Sequence, residues 1–353
     1  LTSAVDITRA REPKAGLIEL VGDHSTDCNR ISELKAVAPD IVLAAVFSAE
    51  AGDSKITSEY MVELVRLGVN DFLRRPMAAG EIHSFFSRLE PTNVPSEATR
   101  LATCFAFISN KGGVGKSTLA VNLATSLAMR YPEDVLLIDA SLQMGVCAPM
   151  LNVTPETSLL DAIDQRQRLD QTLIRQLATP HESGLLLLAA PPDPLAAADI
   201  DDQAIARVLN LARRTFKFVV VDTFPLFDQI VMSVLDITNR AYLVLDNVVP
   251  TVLSAVQLLR LLESLQYPRE RIRIVVNRYR QIAGNPLIDD VTKSLASDVS
   301  HVVPFDKRAI TAANVGRPCA MDMVRWSKLH RALGQLRDEA IRLSDAQGDS
   351  GSE

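Results

Sequence analysis

The sequence predicts an α/β fold in which helices cover both faces of a parallel sheet. Beyond residue 100, strand-length apolar runs alternate with helical patterns, an order typical of parallel α/β domains. These runs are continuously apolar instead of alternating with polar residues, as expected for strands that are buried on both faces. A glycine-rich loop joins the first run to a helical pattern, which is the context of a phosphate-binding turn.

The predicted strands span residues 102–108, 135–139, 185–189, 218–222, 241–245 and 272–276. A final helix is predicted over residues 321–343, and a polar tail, residues 346–353, is predicted to be disordered. We therefore expect one parallel α/β domain over residues 101–345.

Length and composition indicate two folded domains. The chain has 353 residues, more than one hydrophobic core usually accommodates. Residues 91–100, PTNVPSEATR, are polar and have no apolar periodicity, so they are predicted to be a linker. The formal net charge of −6 provides no general attraction for nucleic acid or anionic lipid. We expect neither nucleic-acid binding nor direct membrane insertion.

A smaller α/β domain is predicted over residues 1–90. Strand-like runs occur at 15–21 and 40–46, a helical stretch at 58–67, a short strand at 71–73 and a last helix at 79–89.

The cysteines and histidines predict no metal site. The four cysteines, Cys28, Cys104, Cys147 and Cys319, are far apart and form no CxxC pair. The five histidines are interpreted as isolated from one another and from the cysteines, so surface or packing roles are expected. Unpaired cysteines favour a reducing, cytoplasmic location.

The glycine-rich loop predicts a phosphate site. The strand TCFAFIS leads into NKGGVGKST and then into a helical pattern, so backbone N–H groups can converge on phosphates at a helix N-terminus. Lys116 is expected to bridge the β- and γ-phosphates, and Ser117 to ligate Mg²⁺. The alternative is a glycine-rich turn with incidental lysines. The residues expected to contact nucleotide are Lys111, Gly112, Gly113, Val114, Gly115, Lys116, Ser117 and Thr118.

Two aspartates close predicted strands, at the sheet edge where α/β proteins hold ligands. Asp222 follows four apolar residues far along the chain from the loop, so we predict that it holds Mg²⁺. Asp139 is a second candidate for catalysis. Either aspartate could instead cap a turn or a helix.

The loop, LLIDASLQMG, VVVDTFP and VVNRY resemble the MinD/ParA ATPases in order and spacing, over roughly residues 101–345. Asn110 stands where the strict Walker A pattern has glycine, and Lys111 resembles the signature lysine of this deviant Walker A family. The resemblance implies a P-loop NTPase fold that binds ATP with Mg²⁺, and a homodimer in which Lys111 reaches the partner's nucleotide. It also implies adenine contacts from Asn277, Arg278, Pro304 and Phe305.

Two further segments resemble the TadZ/CpaE branch of this family, which serves tight-adherence pilus assembly. They are LLLLAAPPDPLAAADIDDQAIARVLNLARRTFKFVVVDTFP and VPFDKRAITAANVGRPCAM. This branch carries an N-terminal receiver-like domain, and PDIVLAAV and GVNDFLRRPMAAGEIHSFF resemble receiver segments. Ala45 replaces the phosphoacceptor aspartate, and Arg75 precedes Pro76 where a receiver has Lys-Pro, so the domain is interpreted as a degenerate receiver.

Ser141 is the main departure from the family pattern. It stands where the family usually has the second aspartate of Asp-x-Asp, which positions the attacking water. A neutral hydroxyl cannot replace a carboxylate as a base. We expect slow or negligible hydrolysis, unless Asp139 or another acid compensates.

The leading hypothesis is a cytoplasmic scaffold that dimerises with ATP. It would be recruited to a cell pole or an inner-membrane pilus complex through pilus-assembly or polar localisation proteins. The alternatives are an active ParA/MinD-type partition or cell-positioning ATPase and a receiver-controlled signalling ATPase, and Ala45 argues against the latter.

Overall fold

A computed structural model of the chain describes residues 13, 15–21, 23–39, 41–48, 58–75, 101–195, 200, 202–321 and 327–349. The chain divides into two compact units, Leu1–Glu97 and Ala98–Glu353. The predicted helix at 79–89 and the predicted linker at 91–100 lie outside the described residues. Among the described residues, no helix combines the length and apolarity needed to span a membrane.

The first unit contains a three-stranded parallel sheet in the order β1-β2-β3. Its elements are β1 (Ala15–Glu19), α1 (His24–Val37), β2 (Val42–Ser48), α2 (Ser58–Arg66) and β3 (Val69–Arg75). Helix α1 was not predicted, because its buried face comprises only Ile31, Leu34 and the acidic Asp27. Three neighbouring parallel strands occur in many α/β folds, so the receiver resemblance stays a prediction.

The second unit is built on an eight-stranded sheet in the order β11-β10-β9-β4-β8-β5-β7-β6. All neighbours pair in parallel except β6 and β7. The strands are β4 (Thr103–Ile108), β5 (Val135–Ala140), β6 (Thr179–Pro180), β7 (Leu186–Leu188), β8 (Phe218–Thr223), β9 (Arg240–Leu245), β10 (Ile272–Tyr279) and β11 (Val299–Pro304). The predicted parallel α/β fold is confirmed.

Helices cover both faces of this sheet. They are α3 (Lys116–Ala128), α4 (Cys147–Met150), α5 (Leu159–Asp164), α6 (Gln171–Leu177), α7 (Asp202–Thr215), α8 (Gln229–Ile237), α9 (Val249–Ser264), α10 (Ile288–Leu295), α11 (Lys307–Asn314) and α12 (Lys328–Asp349). Strand β4 is buried throughout. Its Phe105 and Phe107 pack with α3 and α12, whereas Cys104 and Ala106 pack with α7, α8 and α9 on the other face.

The last helix packs against the sheet through both apolar and charged contacts. Leu333 and Leu336 are buried on the face shared with α3. Glu339 accepts hydrogen bonds from Arg273 Nε at 3.1 Å and His301 Nε2 at 2.6 Å, which joins α12 to β10 and β11. The helix continues to Asp349, into the segment predicted to be a disordered tail.

Candidate nucleotide site

The loop between β4 and α3 has the backbone geometry of a phosphate cradle. Gly113 and Gly115 have φ angles of +80° and +92°, a region that glycine adopts without strain. A Cβ on Gly115 would lie 2.4 Å from the side-chain nitrogen of Asn277, so this position also requires close packing. Helix α3 begins directly afterwards at Lys116, which places the loop at a helix N-terminus.

Asn110 is accommodated because the loop does not require glycine there. It is not among the described residues with positive φ. Its side-chain nitrogen donates a 2.7 Å hydrogen bond to the backbone oxygen of Ser254 in α9. Ser109 Oγ accepts a hydrogen bond of 3.1 Å from the Lys111 backbone nitrogen, and the Lys111 side chain is exposed.

Lys116 and Asp222 are two buried titratable residues at the loop that influence each other electrostatically. They are 6% and 0% exposed, respectively. Burial lowers the pKa of Lys116, and the charge of Asp222 opposes that shift. Burial and then the charge of Asp139 raise the pKa of Asp222 to about 7, while the Ser117 hydroxyl and Lys116 oppose this.

One oxygen of Asp222 remains available for a ligand. Within the part of the chain that the structure describes, Oδ1 of Asp222 is buried and has no hydrogen-bond partner. A buried carboxylate oxygen beside a serine hydroxyl is the hard oxygen environment that Mg²⁺ prefers. The predicted metal residues Ser117 and Asp222 are therefore brought together in a way that fits this ion.

Asp139 holds the loop that follows β5. Its register partner across β5 and β8 is Asp222, so the two aspartates lie side by side at the ends of neighbouring strands. Asp139 Oδ1 accepts a 3.2 Å hydrogen bond from the Ser141 backbone nitrogen, and Oδ2 accepts one of 3.0 Å from the Cys147 backbone nitrogen. Both carboxylate oxygens are thus engaged in fixing residues 141–147. Ser141 itself is buried.

Cys147 is a member of this site that the sequence analysis missed. Its Sγ lies 3.8 Å from Asp222 Oδ2, and it forms a buried group with Asp139 and Asp222 whose ligand atoms lie within 4.8 Å of one another. Burial, followed by the two carboxylate charges, raises the pKa of the thiol well above its usual value. No sequence signal marked it, because its neighbours are 8 and 75 positions away.

A cavity of about 250 Å³ opens beside the loop. Its lining includes the predicted base contacts Asn277, Arg278, Pro304 and Phe305, together with Thr118. Pro304 lies at the end of β11, and Phe305 follows it directly.

Asn277 and Arg278 also support the phosphate loop directly. The Asn277 side-chain nitrogen donates a 2.8 Å hydrogen bond to the Val114 backbone oxygen, and Arg278 Nη1 donates one of 2.7 Å to the Gly113 backbone oxygen. The sequence predicts only a role at the base for these two residues. Structural support of the loop is the role that the contacts show.

The fold and the loop define a nucleotide-binding domain of the P-loop class. Residues 105–319 match the CobQ/CobB/MinD/ParA nucleotide binding domain, and the chain belongs to this family. The predicted MinD/ParA membership is confirmed, whereas the TadZ/CpaE branch stays a prediction.

Known proteins of this family resemble the second unit. The septum site-determining protein MinD of Bacillus subtilis is 27% identical over 220 residues, which cover 61% of this chain and 80% of that protein. A ParA family ATPase from Chlorobium tepidum superimposes with a TM-score of 0.62 at 25% identity, covering 69% of this chain and 99% of that one. MinD complexed with Mg-ADP from Pyrococcus horikoshii superimposes with a TM-score of 0.60 at 19% identity, covering 70% and 99%, which shows a shared fold.

Proposed function

We propose that this protein binds ATP with Mg²⁺ and forms a homodimer around the nucleotide. The proposal rests on Oδ1 of Asp222, which is buried and has no hydrogen-bond partner within the described part of the chain. This oxygen belongs to a carboxylate that interacts with the Ser117 hydroxyl and with the charge of Lys116. Burying a carboxylate oxygen without a hydrogen-bonding partner is costly, so Oδ1 favours a bound cation at this position. The Mg-ADP reported for the Pyrococcus MinD supports the choice of ligand.

Different residues of this chain would bind the phosphates and the base of the nucleotide. The backbone N–H groups of residues 112–118, with Lys116, would hold the phosphates, and Ser117 and Asp222 would hold Mg²⁺. Bound Mg²⁺ neutralises phosphate charge. The cavity beside Phe305 would receive the base, and exposed Lys111 is the residue available to a partner subunit's nucleotide.

Slow hydrolysis is part of the proposal. Ser141 provides a neutral hydroxyl at the position where the family pattern has an acid. Asp139 is a poor substitute base, since both of its oxygens accept hydrogen bonds from backbone nitrogens. An ATP dimer that hydrolyses slowly persists, which suits a scaffold or positioning protein.

The resemblance to TadZ/CpaE supports pilus assembly as the setting. The proposed partners are pilus-assembly or polar localisation proteins, which would recruit a cytoplasmic protein to a pole or an inner-membrane complex. The N-terminal unit would supply a further docking surface. An active ParA/MinD-type partition or cell-positioning ATPase is the second candidate, because similar proteins are named MinD and ParA family ATPase.

Mass measurement and phosphate release test the proposal together. The full chain is analysed by light scattering with ATP and Mg²⁺, with ADP and Mg²⁺, and with ATP and EDTA, while phosphate release is followed in parallel. We expect a dimer only with ATP and Mg²⁺, with little phosphate released. A monomer under all conditions contradicts the proposed dimer, and rapid phosphate release favours the active-ATPase alternative.

A further inference from the structure

Three side chains of the N-terminal unit converge at one point between two helices. A ring nitrogen of His24, the sulfur of Cys28 and a carboxylate oxygen of Glu63 all lie within 4.8 Å of one another. His24 and Cys28 are one turn apart on α1, and Glu63 lies on α2. We propose that this cluster is a binding site for Zn²⁺ or a similar borderline-soft divalent cation. The prediction that the histidines are isolated from the cysteines is wrong for His24 and Cys28.

The cluster rests on a fixed helical framework. Asp23 caps α1 by accepting a hydrogen bond from the Thr26 backbone nitrogen, so His24 occupies the first helical position. Residues four apart lie on the same face of a helix, which brings Cys28 beside it. The two helices share a buried core that contains Ile31, Leu34, Tyr60 and Leu64. Ligands on packed helices are held more firmly than ligands on loops.

His24 and Glu63 have the freedom to adjust to an ion. Nε2 of His24 lies 2.6 Å from Oε2 of Glu63, a hydrogen-bonding distance. Two ligands of one tetrahedral Zn²⁺, each about 2.1 Å from it, lie about 3.4 Å apart. Both side chains are about half exposed, at 53% and 50%, so small rotations suffice to open the gap. The ion would replace the hydrogen bond between them.

The surrounding charges favour a cation. Asp27 is buried beside the cluster, where it accepts hydrogen bonds from the Val21 backbone nitrogen and from the Tyr60 hydroxyl at 2.7 Å. Its oxygens are engaged there and in a 3.5 Å ion pair with Arg30, so Asp27 is not a ligand and Arg30 partly offsets its charge. Burial, and then the charges of Glu63 and Asp27, raise the pKa of Cys28. A bound metal deprotonates such a thiol outright, with release of the proton to solvent.

The donor set selects among metals. Imidazole nitrogen and thiolate sulfur suit Zn²⁺, whereas Mg²⁺ and Ca²⁺ require oxygen ligands. Three protein ligands leave a fourth tetrahedral position to water. An ion here would join α1 to α2, so its binding should also stabilise the N-terminal unit. The proposal is independent of the nucleotide site and of its function.

The test is a Co²⁺ titration of the full chain without nucleotide, since Zn²⁺ is spectroscopically silent. We expect the near-ultraviolet band of a cobalt–thiolate bond, which is lost when Zn²⁺ is added and retained in excess Mg²⁺. Cys28→Ser should abolish the band. His24→Ala should lower the affinity for Co²⁺ more than about 100-fold, because losing even a residue that only hydrogen-bonds a metal ligand lowers metal affinity about 10–100-fold. Cys28→His should retain binding without the band.

Two controls test whether the band comes from Cys28 and whether the variants fold. Cys147→Val removes the thiol from the other candidate cluster found in the described residues, and it should leave the band unchanged. Far-ultraviolet circular dichroism without metal checks that each variant folds. Absence of the band in the wild type, its persistence in Cys28→Ser, or its loss in Cys147→Val would each overturn the proposal.

Discussion

The side-chain nitrogen of Asn277 donates a 2.8 Å hydrogen bond to the backbone oxygen of Val114, which ties the end of β10 to the phosphate loop. Asn277 is 5% exposed, and it packs so closely on Gly115 that a Cβ there would collide with it. The same residue lines the cavity that would receive the base. Asn277 therefore connects the two halves of the proposed nucleotide site.

Replacing Asn277 should weaken phosphate binding as well as base binding. In Asn277→Asp a carboxylate faces the Val114 carbonyl oxygen, so the hydrogen bond is lost and a buried charge is added. We expect ATP affinity to fall at least about tenfold. The affinity for inorganic triphosphate, which has no base, should fall by a similar factor, as measured by calorimetric titration.

Phe305→Ala is the matched control for this variant, because Phe305 lines the cavity without a described hydrogen bond to the loop. It should weaken ATP binding and leave triphosphate binding unchanged. If Asn277→Asp behaves in the same way as Phe305→Ala, the loop-supporting role is wrong.

Lys116→Ala should abolish ATP binding. Lys116 is buried at the start of α3, and it is the loop lysine whose charge is fixed beside Asp222. No neighbouring cation of the loop can replace it at the β- and γ-phosphates, since Lys111 is exposed. Equilibrium binding of fluorescent ATP measures the loss, and Lys293→Ala, an exposed lysine on α10, serves as control. Wild-type affinity in a folded Lys116→Ala protein would refute the phosphate-loop assignment.

Lys111→Ala should weaken the ATP-dependent dimer while monomer ATP affinity stays close to that of the wild type. Facing triphosphates repel each other, and one charge-assisted hydrogen bond from each Lys111 offsets this by roughly 1.5–3 kcal/mol. The variant homodimer loses two such bonds, one from each subunit, so its dissociation constant should rise at least about a hundredfold. Analytical ultracentrifugation with ATP and Mg²⁺ measures it, and Lys111→Arg, which keeps the charge, is the control. Equal dimer affinities would show that Lys111 does not act across the interface.

Ser141→Asp should speed phosphate release, because it restores a carboxylate at the position that orients water in the family pattern. General-base contributions are about 100-fold or more, so the gain should be measurable against a slow wild type. Ser141→Asn has a similar size without the charge, and it should remain slow. A continuous phosphate assay compares the three proteins. Fast hydrolysis by the wild type, or no gain in Ser141→Asp, contradicts this interpretation.

Stability without Mg²⁺ should depend on pH through Asp222. Burial and then the charge of Asp139 raise the pKa of Asp222 from 3.8 to about 7, so between these values the folded chain holds a proton that the unfolded chain releases. The free energy of unfolding should therefore fall as the pH rises from about 4 to about 7. The side chain of Asp222→Asn remains neutral, so its free energy of unfolding should depend less on pH and should be higher than that of the wild type at pH 8. Urea denaturation in EDTA at several pH values tests this. The same pH dependence in the variant and the wild type would contradict it.

The fold was predictable because each central strand of the second unit is buried on both faces, which leaves a continuous apolar run in the sequence. The elements that escaped prediction lack this signal. Strand β11 lies at the sheet edge and is only partly buried, and β6 has two residues. Helix α1 buries an acid, Asp27, whose oxygens are satisfied by Val21 and Tyr60.

The sequence by itself determined the parallel α/β fold and the phosphate loop, because local spacing and periodicity encode both. Only the tertiary structure placed Cys147 against Asp222, 75 positions away, and Asn277 against Val114, 163 positions away. The sheet brings the ends of distant strands to one edge, and packing of α1 on α2 brings His24 to Glu63. Such contacts depend on the register of strands and on helix packing, which no single segment of the sequence specifies.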